Sequence, residues 1–262
     1  VGGGFRADHL AVRIELLFLL GDPGHVDVGR DVHPGPADAH DALDEALHLL
    51  GDALLDLGLA AVGLGGHAGV AAAECLGVLV DDGLVLTIGY LITEAETVWV
   101  HLGDGRVVQG HALGFDQETG FGLVQTLGKI DLPVLERGSS SSAEIGDRFI
   151  VVGAGGRTRS LAGRIAAKQE FAGYWEYVLE EAIFTYPAHP NWGGTALISS
   201  EGKLIGIGSL QLERARNGKN EHLNMIVPID LLPPVLDDLR KFGRVNRPVR
   251  PWLGLYSTEI ED

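Results

Sequence analysis

The sequence predicts an all-β body made of two strand-rich units and closed by one helix. Three observations predict it. Short β-rich runs recur from residue 77 onward, Asp-Gly turns punctuate them, and one helical repeat of leucines stands near the end. With 262 residues, 45% of them apolar, the chain can bury a core in one large domain or two small ones.

Residues 1–74 stand apart from this body. They contain no Ser, Thr, Asn, Gln, Lys, Met, Cys, Tyr or Trp, and their 3 Arg and 12 acids supply −9 of the net −16. They are expected to form a compositionally biased N-terminal extension, or to reflect a start placed upstream of the natural one. Leu43, Leu47, Leu50 and Leu54, spaced by three and four, give this extension one stretch with helical potential. Asp22, His25, Asp27, Asp31, His33, Asp38 and His40 have metal-ligand chemistry. No helical or strand spacing converges them, so no metal site is expected.

The first unit, residues 75–138, reads as the strands "GVLV", "LVLTIGYLI", "TVWVHL", "VVQGHALGF" and "FGLVQTL". Asp82-Gly83 and Asp104-Gly105 read as hairpin turns, because the turns that suit twisted strands need positive φ. "GSSSS" reads as a linker into the second unit, residues 139–245, with runs at "RFIVVGAG", "SLAGRIAAKQEF", "YWEYVLEEAIFTY", "TALISS", "KLIGIGSL" and "HLNMIVP". In the closing helix Leu231, Leu232, Val235, Leu236, Leu239 and Phe242 recur at helical spacing, with Asp230 as the expected N-cap and Gly243 as the stop. "VVGAGGRTRS" lacks the G-x-G-x-x-G spacing and a βαβ setting, so it reads as a turn between strands. "FAGYWEY", with Tyr174, Trp175 and Tyr177, reads as a barrel strand or as an exposed aromatic edge.

Composition excludes several function classes. A net charge of −16 without a basic patch argues against nucleic-acid binding, which needs clustered Lys and Arg. Cys75 is the single cysteine, so neither an intrachain disulfide nor a cysteine metal cluster is expected. No cofactor motif is present. The stretch 46–70 is broken by Asp52, Asp56 and several glycines, so it falls short of the roughly 20 apolar residues of a membrane span. "RIELLFLLG" does not read as a secretory signal, which points to the cytoplasm.

Five ordered stretches resemble the HtrA (Deg) family of trypsin-like serine proteases: "GVLVDDGLVLTIGYLI", "DGRVVQGHALGFDQETGFGLVQ", "LPVLERGSSSSAEIGDRFIVVGAGG", "HPNWGGTALISSEGKLIGI" and "IVPIDLLPPVLDDLRKFGRVNRPVRPWLGL". The resemblance implies a trypsin-like double six-stranded β-barrel with a closing C-terminal helix. Residues 246–262 would then be a linker and the first strand of a truncated PDZ-like domain. It also places the catalytic His on Tyr90, the Asp on Gly120 and the Ser on Trp192. One oxyanion-hole donor, the backbone N–H two residues before the nucleophile, falls on Pro190, which has no N–H. A phenol with an ordinary pKa near 10 is a poor base at neutral pH, glycine orients nothing, and tryptophan has no nucleophilic heteroatom.

The resemblance therefore implies a protease homologue with its catalytic set replaced, serving as a peptide-binding or scaffold module. The expected partner is an extended peptide or unfolded protein segment. Tyr186 at the base of the primary specificity pocket, with Gly208 and Ser209 on the barrel-two strand, would contact it by β-augmentation. A homo-oligomer or an active paralogue is the other expected partner, and the family points to the periplasm. Two alternatives stay open. One is a regulatory partner of an active paralogue; the other is an active endopeptidase with a displaced site, using His189 and a hydroxyl among Ser139–Ser142, Ser160, Ser199 and Ser200.

Overall fold

The computed structural model describes residues 11–17, 59–63 and 72–248, apart from 94, 96, 154–158, 174–176 and 217–218. Among the described residues, thirteen strands fall into two sheets. The first contains β1 (Ala11–Leu17), β2 (Leu59–Gly63), β3 (Ala72–Asp81), β4 (Leu84–Ile88), β5 (Thr97–His101), β6 (Val107–Phe115) and β7 (Phe121–Thr126). It runs in the order β1-β2-β3-β4-β7-β6-β5 and closes on itself where β1 pairs with β5. The second contains β8 (Arg148–Val152), β9 (Ser160–Ala172), β10 (Val178–Tyr186), β11 (Ala196–Ser199), β12 (Leu204–Arg216) and β13 (Lys219–Pro228). Its order is β10-β13-β12-β11-β8-β9, closed by pairing of β9 with β10.

The first sheet differs from the six strands expected. Two pieces of the biased segment, β1 and β2, pair in parallel with each other and antiparallel with β5, and β2 also pairs with β3. Their run of Ala, Val, Ile and Leu supports strand pairing even though the surrounding composition is narrow. The helix expected around Leu43–Leu54, the histidine-rich stretch of residues 22–40 and nearly all of the PDZ-like segment lie outside the described residues.

Strand alternation divides the core. All five residues of β4 are buried: Leu84, Leu86 and Ile88 join a cluster that also contains Ile150, Ile207 and Met225 of the second sheet, while Val85 faces a cluster within the first. β8 behaves likewise, with Ile150 and Val152 in the shared cluster and Val151 in one confined to the second sheet. A period of two puts neighbouring side chains on opposite faces, so one buried strand feeds two cores. The shared cluster welds the two sheets at the junction where the candidate site lies.

Both Asp-Gly turns form as expected, with φ of +64° at Gly83 and +86° at Gly105. Helix α1 (Pro233–Phe242) also forms and ends at Gly243, whose N–H returns to the Leu239 carbonyl at 3.0 Å. Its start differs from expectation. A 3-10 turn over Ile229–Leu231 comes first, and Leu232 occupies the N-cap without a side-chain bond. The Asp230 carboxylate instead accepts the Ser141 N–H and the Ser139 hydroxyl, both at 2.9 Å, so it ties the serine linker to the closing helix.

Candidate functional site at the junction of the two sheets

Tyr90 lies in a 3-10 turn, Gly89–Leu91, that follows β4 directly. The Gly89 N–H donates to the Gly120 carbonyl at 2.7 Å, so the turn and the loop before β7 sit side by side. That loop is built by Asp116, which is 4% exposed. Its carboxylate accepts the Thr119 N–H at 3.1 Å and the Thr119 hydroxyl at 2.8 Å, and it also accepts both terminal nitrogens of Arg247.

Gly120 has φ +81°, and a Cβ there would lie 2.3 Å from Tyr177 Cε1. The phenol ring of Tyr177 therefore stands against the position where the resemblance places an aspartate. Buried at 9% exposure, Tyr177 is neither a plain strand residue nor an exposed edge, while Tyr174 and Trp175 lie outside the described residues.

Trp192 sits in the loop between β10 and β11, and its carbonyl accepts the Thr195 N–H at 3.2 Å and hydroxyl at 2.9 Å. The loop is pinned from two sides. Leu76 of β3 donates to the Gly193 carbonyl at 3.0 Å, and Gly194 donates to the Gly208 carbonyl of β12 at 2.8 Å. This pinning requires glycine at 194, where φ is +82° and a Cβ would lie 1.8 Å from the Leu76 carbonyl oxygen.

The two phenols converge on Ser209. Tyr90 donates its hydroxyl to the Ser209 carbonyl, and the Tyr177 hydroxyl pairs with Ser209 Oγ. Ser209 is fully buried and lies in a register break between Gly208 and Leu210, where β12 slips against β13. The Gly208 N–H donates to the Thr195 carbonyl at 2.8 Å, so its amide and carbonyl are both engaged. At the two residues expected to contact a peptide, the Gly208 amide and carbonyl and the Ser209 carbonyl and hydroxyl are thus engaged from within the chain.

His189, raised above as a substitute base, is 3% exposed. Its Nε2 lies 2.9 Å from the Arg159 carbonyl, and its Nδ1 lies 3.1 Å from both the backbone nitrogen and the carbonyl oxygen of Asn191. Its own amide donates to Asn224 Oδ1 at 2.5 Å, and Asn224 Nδ2 donates back to its carbonyl at 3.3 Å. Burial pushes the imidazole below its ordinary 6.5, outweighing the bonds to the Arg159 and Asn191 carbonyls. It is a structural strap. It also occupies the Asn191 N–H, the amide beside the N–H-less Pro190.

Tyr186 ends β10 and is 37% exposed. The structure thus brings together Tyr90, Gly120, the Trp192 loop, Gly208 and Ser209. Sequence reasoning missed the site roles of Tyr177 and Arg247. The available signal was the vacancy that a glycine makes in place of a larger residue, and it does not say which distant aromatic fills it. Among the described residues no group of His, Cys, Asp and Glu is arranged to hold a metal, and no helix is long and apolar enough to cross a membrane.

Residues 75–207 match the family described as trypsin-like peptidase domain. The chain is 30% identical over 186 residues to a probable periplasmic serine endoprotease DegP-like from Pseudomonas putida (strain GB-1), covering 70% of this chain and 37% of the relative. It is 29% identical over 194 residues to the serine endoprotease DegS of Salmonella typhimurium (strain 14028s / SGSC 2262), covering 70% and 52%. A solved structure of the HtrA-type protease AlgW with decapeptide superposes with a TM-score of 0.56 at 25% identity, covering 73% of this chain and 59% of that one. The chain thus spans about half or less of the length of these curated relatives. The chain belongs to the trypsin-like peptidase domain family, within its HtrA/Deg group of serine protease homologues.

Proposed function

We propose that this chain is a catalytically inert HtrA-family homologue whose trypsin-like body, two β-barrels with a closing helix, serves as a binding or scaffold module for extended peptide or unfolded protein. The observation that carries the reading is the convergence of Tyr90 and Tyr177 on buried Ser209, beside Gly120 and the Trp192 loop. Acyl transfer needs a nucleophile within reach of a base that titrates near neutrality, and phenols do not supply that base. The oxyanion hole fails independently. Pro190 has no N–H, and losing one donor costs about 10²–10³ in rate even with an intact triad.

Peptide binding uses strand backbone rather than triad side chains, so it outlives the loss of chemistry. The test is a casein cleavage assay with fluorophosphonate labelling of the unmodified chain and of a Trp192→Ser, Pro190→Gly variant. The unmodified chain is expected to give neither cleavage nor label. Cleavage, or a labelled serine mapped by mass spectrometry, overturns the reading and supports a displaced active site.

A further inference from the structure

We infer that Tyr90 is a built-in latch on the edge of β12, holding closed the backbone position where an extended peptide would dock. This rests on the reading of the body as a peptide-binding module and deepens it. At the register break, β13 pairs with Gly208 and Leu210 but skips Ser209. A carbonyl freed from strand pairing is the kind of group that an added strand recruits, and leaving it buried and unpaired is costly. Here the Tyr90 hydroxyl, from the first sheet and 119 residues away, supplies the donor.

The rest of the geometry suits a cover. Tyr90 is half-buried, packed against the shared core, and stands on a three-residue turn rather than within a strand. Tyr177 pairs with the Ser209 hydroxyl while Tyr90 takes the carbonyl, so the two phenols fix one residue through two different groups. An incoming peptide N–H must replace the phenol O–H at one acceptor. Peptide affinity is therefore set by competition with an internal group, and the partner class is an extended segment offering a backbone donor.

The experiment titrates fluorescein-labelled, carboxymethylated α-lactalbumin, a permanently unfolded chain, with the unmodified protein, Tyr90→Phe and Tyr90→Leu, read by anisotropy. Gels monitor cleavage, and thermal melts confirm that each variant folds. Tyr90→Phe removes the competing donor and is expected to bind about fivefold tighter, since one hydrogen bond is worth about that factor net. Tyr90→Leu, which also lacks a donor and has a smaller side chain, is expected to shift in the same direction and serves if Tyr90→Phe does not fold. Equal binding by the unmodified protein and both variants overturns the latch and leaves the scaffold reading standing. Absence of binding by all three overturns both the latch and the peptide-binding reading, and cleavage by the unmodified protein overturns the inert reading alone.

Discussion

Replacing Gly120 with alanine tests the claim that the Tyr177 ring occupies the space a side chain at this position would need. At φ +81° the backbone is left-handed, and a Cβ would stand 2.3 Å from Tyr177 Cε1 and 2.7 Å from Cζ. The left-handed placement costs about 1–2 kcal/mol for a residue with a Cβ. Forcing the overlap costs about 1–3 kcal/mol more, because the ring is confined in a packed interior. The expected loss is therefore roughly 2–5 kcal/mol, a large share of a typical stability of about 5–15 kcal/mol. For a domain of this size each kcal/mol lowers Tm by about 2–4 °C, so the variant should melt roughly 4–20 °C below the parent. Thermal and urea unfolding, followed by circular dichroism, measure it.

A double-mutant cycle separates the two causes. Tyr177→Ala opens the space, so combining it with Gly120→Ala should recover about 1–3 kcal/mol relative to additivity, while the backbone cost stays. A Gly120→Ala variant melting within about 2 °C of the parent, or additive behaviour in the cycle, refutes the reasoning. The same overlap applies to Gly120→Asp. Rebuilding the acidic position therefore requires removing Tyr177, and the Trp192→Ser, Pro190→Gly variant is expected to stay inactive without that step.

Three further outcomes are expected. Gly194→Ala places a Cβ 1.8 Å from a backbone oxygen that cannot rotate away, so the variant should lose cooperative unfolding in calorimetry or express only as aggregate. Arg247→Ala removes the charged partner of an Asp116 that is 4% exposed, and should cost about 1.5–3 kcal/mol in urea unfolding, since Thr119 retains part of the network. His189 is held below its ordinary 6.5, so the unfolded chain binds its proton more readily than the folded one. Its contribution is complete above pH 6.5 and is lost as pH falls toward the folded value. Melting temperatures should decline from pH 7 to pH 5, and His189→Gln should flatten that decline.

The sequence by itself determined the strand runs, the Asp-Gly turns and the helix stop at Gly243, because each is a local choice: side-chain period, turn conformation or a left-handed cap. It also determined which residues stand at the positions expected for chemistry, since Tyr90, Gly120 and Trp192 are named by their neighbours in the chain. Tertiary structure decided what those residues touch. Tyr90 and Ser209 are 119 positions apart, and Tyr177 reaches Gly120 across three strands and a linker. No local pattern encodes such pairings. They follow from how two closed sheets share one core, and that shared core fills the junction between them.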